Sequence, residues 1–397
     1  MYLIVGNGIS GINTAQVIRE KDKEVPLFIF TEEEYPYYSR PQIIEFLAGN
    51  IGVEDLPFYP KRWYEENNIK VLYREKALKI DIEKKILETD KDKYKFDKLL
   101  IATGAFPFKP PLENINSEGV FTLRNIDDAK NIISFVKDKE KAIILGCGLL
   151  GLETGRALSK RGLRIIGLEF FPRLIPRQLD SEGARILQRK IEEKFGFEFY
   201  LGVKAKKILA VNGKFEGVEL EDGRKIYGDL MIISAGIIPN TELAKNSNIL
   251  VNKGILVNEY METNMKDIYS AGDCIEFSGR IYGIIPASLE QSYVAGKNML
   301  GEEVKYKGTI PSNTLKITGI DLTSIGEIDP QDKGFEIIIK KDEEKGFYRK
   351  LIFKEDRIVG AILLGDKRKY VNKIQNLIRS QKIVERKEEL INEELGG

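Results

Sequence analysis

Two stretches of this chain have the residue types and spacing to hold a pyrophosphate on bare backbone. Tyr2-Leu3-Ile4-Val5-Gly6-Asn7-Gly8-Ile9-Ser10-Gly11 and Ala142-Ile143-Ile144-Leu145-Gly146-Cys147-Gly148-Leu149-Leu150-Gly151-Leu152-Glu153 each pass from a buried-strand pattern through G-x-G-x-x-G into a helical pattern. Phosphate oxygens can then approach uncapped N–H groups at a helix N-terminus. One glycine-rich turn alone is weak evidence, because tight packing without a ligand produces the same residues. Two copies point to two dinucleotides, and a flavin beside a nicotinamide makes electron transfer the working hypothesis.

The residues around each turn sharpen this reading. The strand Pro26–Glu32 puts Glu32 about 20 residues beyond Gly11, where an acid accepts hydrogen bonds from an adenine ribose. Glu33 is close enough to take that role instead. Leu163–Glu169 ends likewise in Glu169, whose charge favours the free 2′-hydroxyl of NAD over the phosphate of NADP, while Arg164 and Arg173 nearby would oppose that preference. Arg40 is placed to cap a pyrophosphate. Ala102-Thr103-Gly104 and Ala235-Gly236 end two further buried strands in small residues. Gly272 lets the backbone approach a ligand while Asp273 presents a carboxylate.

Composition excludes several other chemistries. Lys+Arg number 62 against 61 Asp+Glu, so no global basic field draws the chain to nucleic acid. No apolar run reaches the ~18 residues of a membrane span, and the chain enters a strand at once, which reads as cytoplasmic and not membrane-bound. Histidine is absent, which rules out histidine triads, ligands and acids. Cys147 and Cys274 lie far apart in no paired spacing, against a disulfide, a thiolate metal site or a redox dithiol. Reaction chemistry must then belong mainly to a cofactor.

The elements that position these residues alternate strand and helix twice over. The fold class is α/β, with two Rossmann-like dinucleotide-binding domains. After Gly308 the pattern turns to short strands (Thr314–Ile317, Leu322–Ile328, Glu336–Lys340, Phe347–Phe353, Ile358–Leu364) and a last helix with apolar Tyr370, Val371, Ile374, Leu377 and Ile378, a small α+β domain. That helix carries Lys367, Arg368, Lys369, Lys373, Arg379 and Lys382, a patch able to steer an acidic carrier. The Pro-rich stretch from Phe106 to Pro111 reads as a linker.

Taken together, both glycine turns, Ala102-Thr103-Gly104, Glu153, Gly236-x-x-Pro239 and Gly272-Asp273 resemble the pyridine nucleotide-disulfide oxidoreductase superfamily. The resemblance implies a nicotinamide domain inserted into a flavin domain: 1–110 and 236–307 for FAD, 111–235 for NAD(P)H, then 308–397. It implies that Gly6, Gly8, Gly11 and Glu32 hold the adenosine half of FAD and Asp273 its ribityl chain. Gly146, Gly148, Gly151 and Glu169 would hold NADH, NADPH being disfavoured, with Glu153 at the nicotinamide. Tyr37-Tyr38-Ser39-Arg40-Pro41, Trp63-Tyr64-Glu65-Glu66-Asn67, Gly254-Ile255-Leu256-Val257 and Leu315-Lys316 are similar to NAD(P)H:rubredoxin oxidoreductases and related NADH oxidases. Disulfide reductases carry cysteine on the helix after the first ribose acid, where this chain has Gln42-Ile43-Ile44-Glu45. Hydride should therefore stop at the flavin and leave as single electrons to a small redox protein such as rubredoxin, oxygen being the alternative acceptor and a non-catalytic redox sensor the alternative of another class. Glu45 and Lys316 are expected as flavin-ring neighbours.

Overall fold

The computed structural model describes residues 1–393 apart from Thr318, Lys333 and the side chain of Lys316. The chain divides into two units, Met1–Ile43 with Ile51–Phe106 and Ile237–Thr309, and Ile44–Asn50 with Pro107–Gly236 and the chain from Ile310 onward.

In the first unit five parallel strands lie in the order Ile268–Ser270, Lys98–Ile101, Tyr2–Val5, Leu27–Thr31, Ile69–Tyr73. Leu3, Ile4, Leu99, Leu100 and Ile101 are wholly buried, as strands covered on both faces require. The helix Ile9–Lys21 buries Ile12, Ala15, Val17 and Ile18 and packs on the helix Ile285–Met299. Gly296 makes that approach possible, because a Cβ there would lie 2.9 Å from the Val17 side chain. The buried guanidinium of Arg19 donates to the carbonyls of Asp22, Val25, Asn67 and Asn68, tying the helix end to two loops. An antiparallel sheet of Ala77–Asp81, Ile86–Thr89 and Lys93–Lys95 stands apart from the parallel one.

The second unit holds a matching parallel sheet, ordered Glu198–Leu201, Arg164–Glu169, Lys141–Leu145, Leu230–Ile233, Val120–Thr122. It also holds the antiparallel sheet Ser312–Ile317, Ile320–Gly326, Arg357–Leu364, Phe347–Lys354, Glu336–Asp342. The helix Arg368–Ser380 lays Tyr370, Val371, Ile374 and Ile378 against Ile325, Leu351, Phe353 and Leu363 of that sheet. A further helix, Lys387–Asn392, follows the one expected to be last. The short strand Ala105–Pro107 runs into the start of the stretch read as a linker. Ile44–Asn50 groups with this unit through Arg161, which donates to the Leu47 carbonyl, and Lys160, which donates to the Asn50 side chain. No helix among the described residues is long and apolar enough to cross a membrane.

Candidate functional site

Each parallel sheet presents its glycine turn at the carboxyl end of its central strand. In the first unit Val5 pairs between Phe30 and Ile101, and in the second Leu145 pairs between Leu168 and Ile233. Open α/β sheets bind ligands in the crevice outside those ends.

The three glycines of each turn exist for different reasons. Gly6 and Gly146 have φ of +115° and +99°, and a Cβ would lie 2.1 Å from the Ala102 carbonyl oxygen in one case and 2.4 Å from that of Ser234 in the other. Gly11 and Gly151 are excluded from carrying a side chain by the carbonyl oxygens of Gly6 and Gly146, at 2.0 and 2.1 Å. Internal packing thus accounts for the first and third glycines. It does not account for the second. Gly8 and Gly148 have extended φ values of −87° and −73° that any residue adopts, and a Cβ on either would meet nothing within 4 Å. Both are the N-caps of their helices, without a side-chain cap and without an acid in the first turn. Bare N–H groups, a favourable dipole and open space above the backbone suit a dinucleotide pyrophosphate at each turn.

Around the first turn the structure gathers the other motifs of its unit. The Ala102 carbonyl abuts Gly6, Thr103 Oγ1 donates to the Asn240 carbonyl at 2.7 Å, and the Asn240 N–H returns a bond to Gly104 at 2.9 Å. Gly272, at φ +92°, packs against Ser10: a Cβ would stand 2.4 Å from its hydroxyl. The Gly272 N–H donates to the buried Gln291 side chain at 3.0 Å, and Asp273 beside it is half-buried. Arg40 faces Glu33 at 3.4 Å, and Glu33 also accepts from the Tyr38 hydroxyl.

The two ribose positions are not equivalent in register. Gly6 N–H donates to the Phe30 carbonyl as Gly146 N–H donates to that of Leu168, so Thr31, not Glu32, occupies the place of Glu169. Thr31 Oγ1 accepts from the N–H two residues on at 3.2 Å, as Glu169 Oε1 accepts from Phe171 N–H at 3.0 Å. Glu32 is one residue further out and exposed. Glu169 is buried, and its second oxygen accepts from Cys147 N–H, inside the glycine turn, at 2.8 Å. Arg164 stands at the other end of that strand, five residues or about 16 Å from Glu169, facing Glu140 at 3.6 Å. Arg173 lies 3.7 Å from Asp329.

Glu153 is half-buried in the second turn of its helix. Gly236, at φ +112°, follows the strand beside the second turn, and a Cβ there would meet nothing within 4 Å. Glu45 is exposed on Gln42–Leu47 and accepts from Asn50. Lys316 is on the strand Ser312–Ile317, with its side chain outside the described residues. Sequence reasoning missed Gln291, which has no motif of its own and is identified only by its bond to Gly272. In the C-terminal patch Lys369, Arg379 and Lys382 are exposed, and Lys373 pairs with Glu393 at 2.5 Å.

Both thiols are buried. Burial pushes Cys147 well up from the usual thiol range, with the Glu169 charge adding to it, and burial also raises Cys274. Cys274 Sγ points to the carbonyls of Ala271 and Ile101 at 3.4 and 3.6 Å. A Cys147→Ser, Cys274→Ser double variant is expected to keep coenzyme-dependent reduction of an artificial one-electron acceptor within a few-fold of the parent, any loss coming from packing. Collapse of turnover with the cofactor still bound would place a thiol in the electron path.

Comparison with known proteins gives the family and the fold. Residues 1–297 match the family described as pyridine nucleotide-disulphide oxidoreductase, and residues 311–382 match the rubredoxin NAD+ reductase C-terminal domain. The chain is 36% identical to the nitrite reductase [NAD(P)H] of Bacillus subtilis over 92% of its own length, and it spans about half, 45%, of that relative. It is 35% identical to the NADH-rubredoxin oxidoreductase of Clostridium acetobutylicum, covering 92% of this chain and 90% of that one. The crystal structure of NADH:rubredoxin oxidoreductase from the same organism superposes with a TM-score of 0.79 at 32% identity, over 97% and 96% of the two chains.

Proposed function

The chain belongs to the pyridine nucleotide-disulphide oxidoreductase family, and from that premise we propose that it is an FAD-dependent NADH oxidoreductase passing electrons to a small one-electron carrier protein such as rubredoxin. The observation that carries the reading is the pair of turns whose middle glycines face open space, each under an uncapped helix. Bound flavin supplies what the side chains lack, taking two electrons as hydride and releasing them singly.

The protein's own residues bind and orient. The first turn would receive the flavin pyrophosphate with Arg40 near it, Ala102, Thr103 and Gly104 would line its edge, and Asp273 would take the ribityl hydroxyls. Glu32 or Glu33 would serve the flavin's adenosine end. The second turn with Glu169 would take NADH, Glu153 and Gly236 flanking the nicotinamide end, and Glu45 and Lys316 are assigned to the flavin surroundings. The one-electron carrier is favoured over thiol chemistry because both cysteines are buried and burial raises both thiols from their usual range. The match of residues 311–382 supports rubredoxin as its type.

Steady-state turnover with NADH against rubredoxin, a neutral quinone and oxygen tests this. Rubredoxin reduction faster than oxygen consumption is expected. Faster oxygen consumption would make the protein a peroxide-forming oxidase, and poor rates with every acceptor a sensor. Asp273→Ala is expected to lose flavin in mild chaotrope that leaves the parent yellow. Equal retention would remove the ribityl assignment.

A further inference from the structure

The second glycine turn is held by a loop that is itself held from elsewhere. Residues 170–180 run from the end of the strand carrying Glu169 to the helix Ser181–Phe195. At their start Phe171 N–H bonds Glu169, and midway Ile175 N–H reaches the Cys147 carbonyl at 3.4 Å, inside the turn. Ile175 is fully buried at φ +39°. That is an unfavourable conformation for a β-branched residue, and it persists only where the surroundings impose it.

The loop's far end is held by the C-terminal sheet. Asp180, at the loop's end, caps the helix through Gly183 N–H at 2.9 Å with one oxygen. Its other oxygen accepts from the Tyr348 hydroxyl at 2.7 Å and Lys350 Nζ at 2.8 Å, all three residues being buried. Tyr348 and Lys350 are two apart on the strand Phe347–Lys354, so they share the face turned to the helix. Arg185 forks onto Glu343 at 2.7 and 2.9 Å, and Asp329 faces both Arg173 and Lys350 at 3.7 and 3.8 Å.

We propose that Tyr348 and Lys350 are positioning residues for the coenzyme: by fixing Asp180 they keep the loop in its strained form against the second glycine turn, so the C-terminal domain sets the affinity for NADH. This rests on the reading of that turn as the NADH site. The buried pair is removed without stranding a charge in Asp180→Asn, Lys350→Met, in which asparagine remains a good helix cap. Tyr348→Phe is a milder second probe.

The test uses the flavin-loaded full chain and NAD+, with three measurements: calorimetric Kd for NAD+, hydrogen exchange of residues 170–180, and flavin per chain. In the double variant Kd should rise roughly fivefold or more, the scale of modest coupling between sites, exchange should quicken in the loop, and flavin content should stay at the parent's level. Tyr348→Phe should move Kd the same way by less. Adding Ile175→Gly, which relieves the unfavourable φ, should bring Kd back to within about twofold of the parent. Unchanged Kd in the double variant would overturn the proposal, as would a raised Kd that Ile175→Gly fails to recover. A parent protein with flavin but no NAD+ affinity would instead remove the NADH reading of the second turn, and the proposal with it.

Discussion

A Gly8→Val variant is expected to fold and to purify colourless, while Gly148→Val is expected to purify yellow and no longer bleach with NADH. Neither substitution strains the protein on its own account, since both positions have extended backbone and open space where the Cβ would go. The cost to the fold is the poorer helix cap, about 1 kcal/mol, against the roughly 5–15 kcal/mol by which folded domains are stable. The cost to the ligand is far larger, because a side chain would occupy the volume a pyrophosphate must enter to reach the helix N–H groups. Flavin per chain should fall at least tenfold in the first variant, a change of about 1.4 kcal/mol or more, with a cooperative melt retained. Gly11→Ala is the contrasting control: its Cβ would sit 2.0 Å from a carbonyl oxygen, so it should damage the fold before the ligand. Full flavin in Gly8→Val would show that the first turn is packing and nothing more.

The same contrast explains how much the sequence could say. The glycine turns were legible because a positive φ and two close backbone approaches select glycine at fixed offsets, with a third glycine between them. The C-terminal strands were legible because short runs rich in β-branched and aromatic residues, bounded by turn residues, are a strand signal, and they form within a few residues of the expected bounds. Pairing register was not legible. A residue count from Gly11 arrives at Glu32, but only the ladder between Val5 and Phe30 shows that Thr31 stands opposite the turn. Arg164 is near Glu169 in the chain and far from it in space, because an extended strand separates its ends. The joining of Asp180 to Tyr348 and Lys350 spans some 170 residues, and no local pattern announces it. Nor does one announce that Leu47 belongs with Arg161.

Register and pairing also bear on the coenzyme, where NADH is expected to exceed NADPH in kcat/KM by roughly tenfold to a hundredfold. A phosphate on the 2′-oxygen would face the Glu169 carboxylate in a largely desolvated place, an unfavourable contact on the order of 1–3 kcal/mol. Glu169 cannot turn aside without giving up its bonds from Cys147 and Phe171 N–H, one to each oxygen. The two arginines nearest to Glu169 in the chain are both committed elsewhere: Arg164 is exposed at the opposite end of the strand, and Arg173 faces Asp329 and donates to the Pro176 carbonyl. Glu169→Gln keeps an acceptor for one of the two N–H groups while removing the charge, so the ratio of the coenzymes should fall toward one, chiefly through better use of NADPH. Asp329→Asn should push the ratio the same way by a smaller step, by freeing Arg173 to meet a phosphate. Equal kcat/KM for the two coenzymes in the parent would mean that Arg173 already reaches the ribose, and Asp329→Asn would then change nothing.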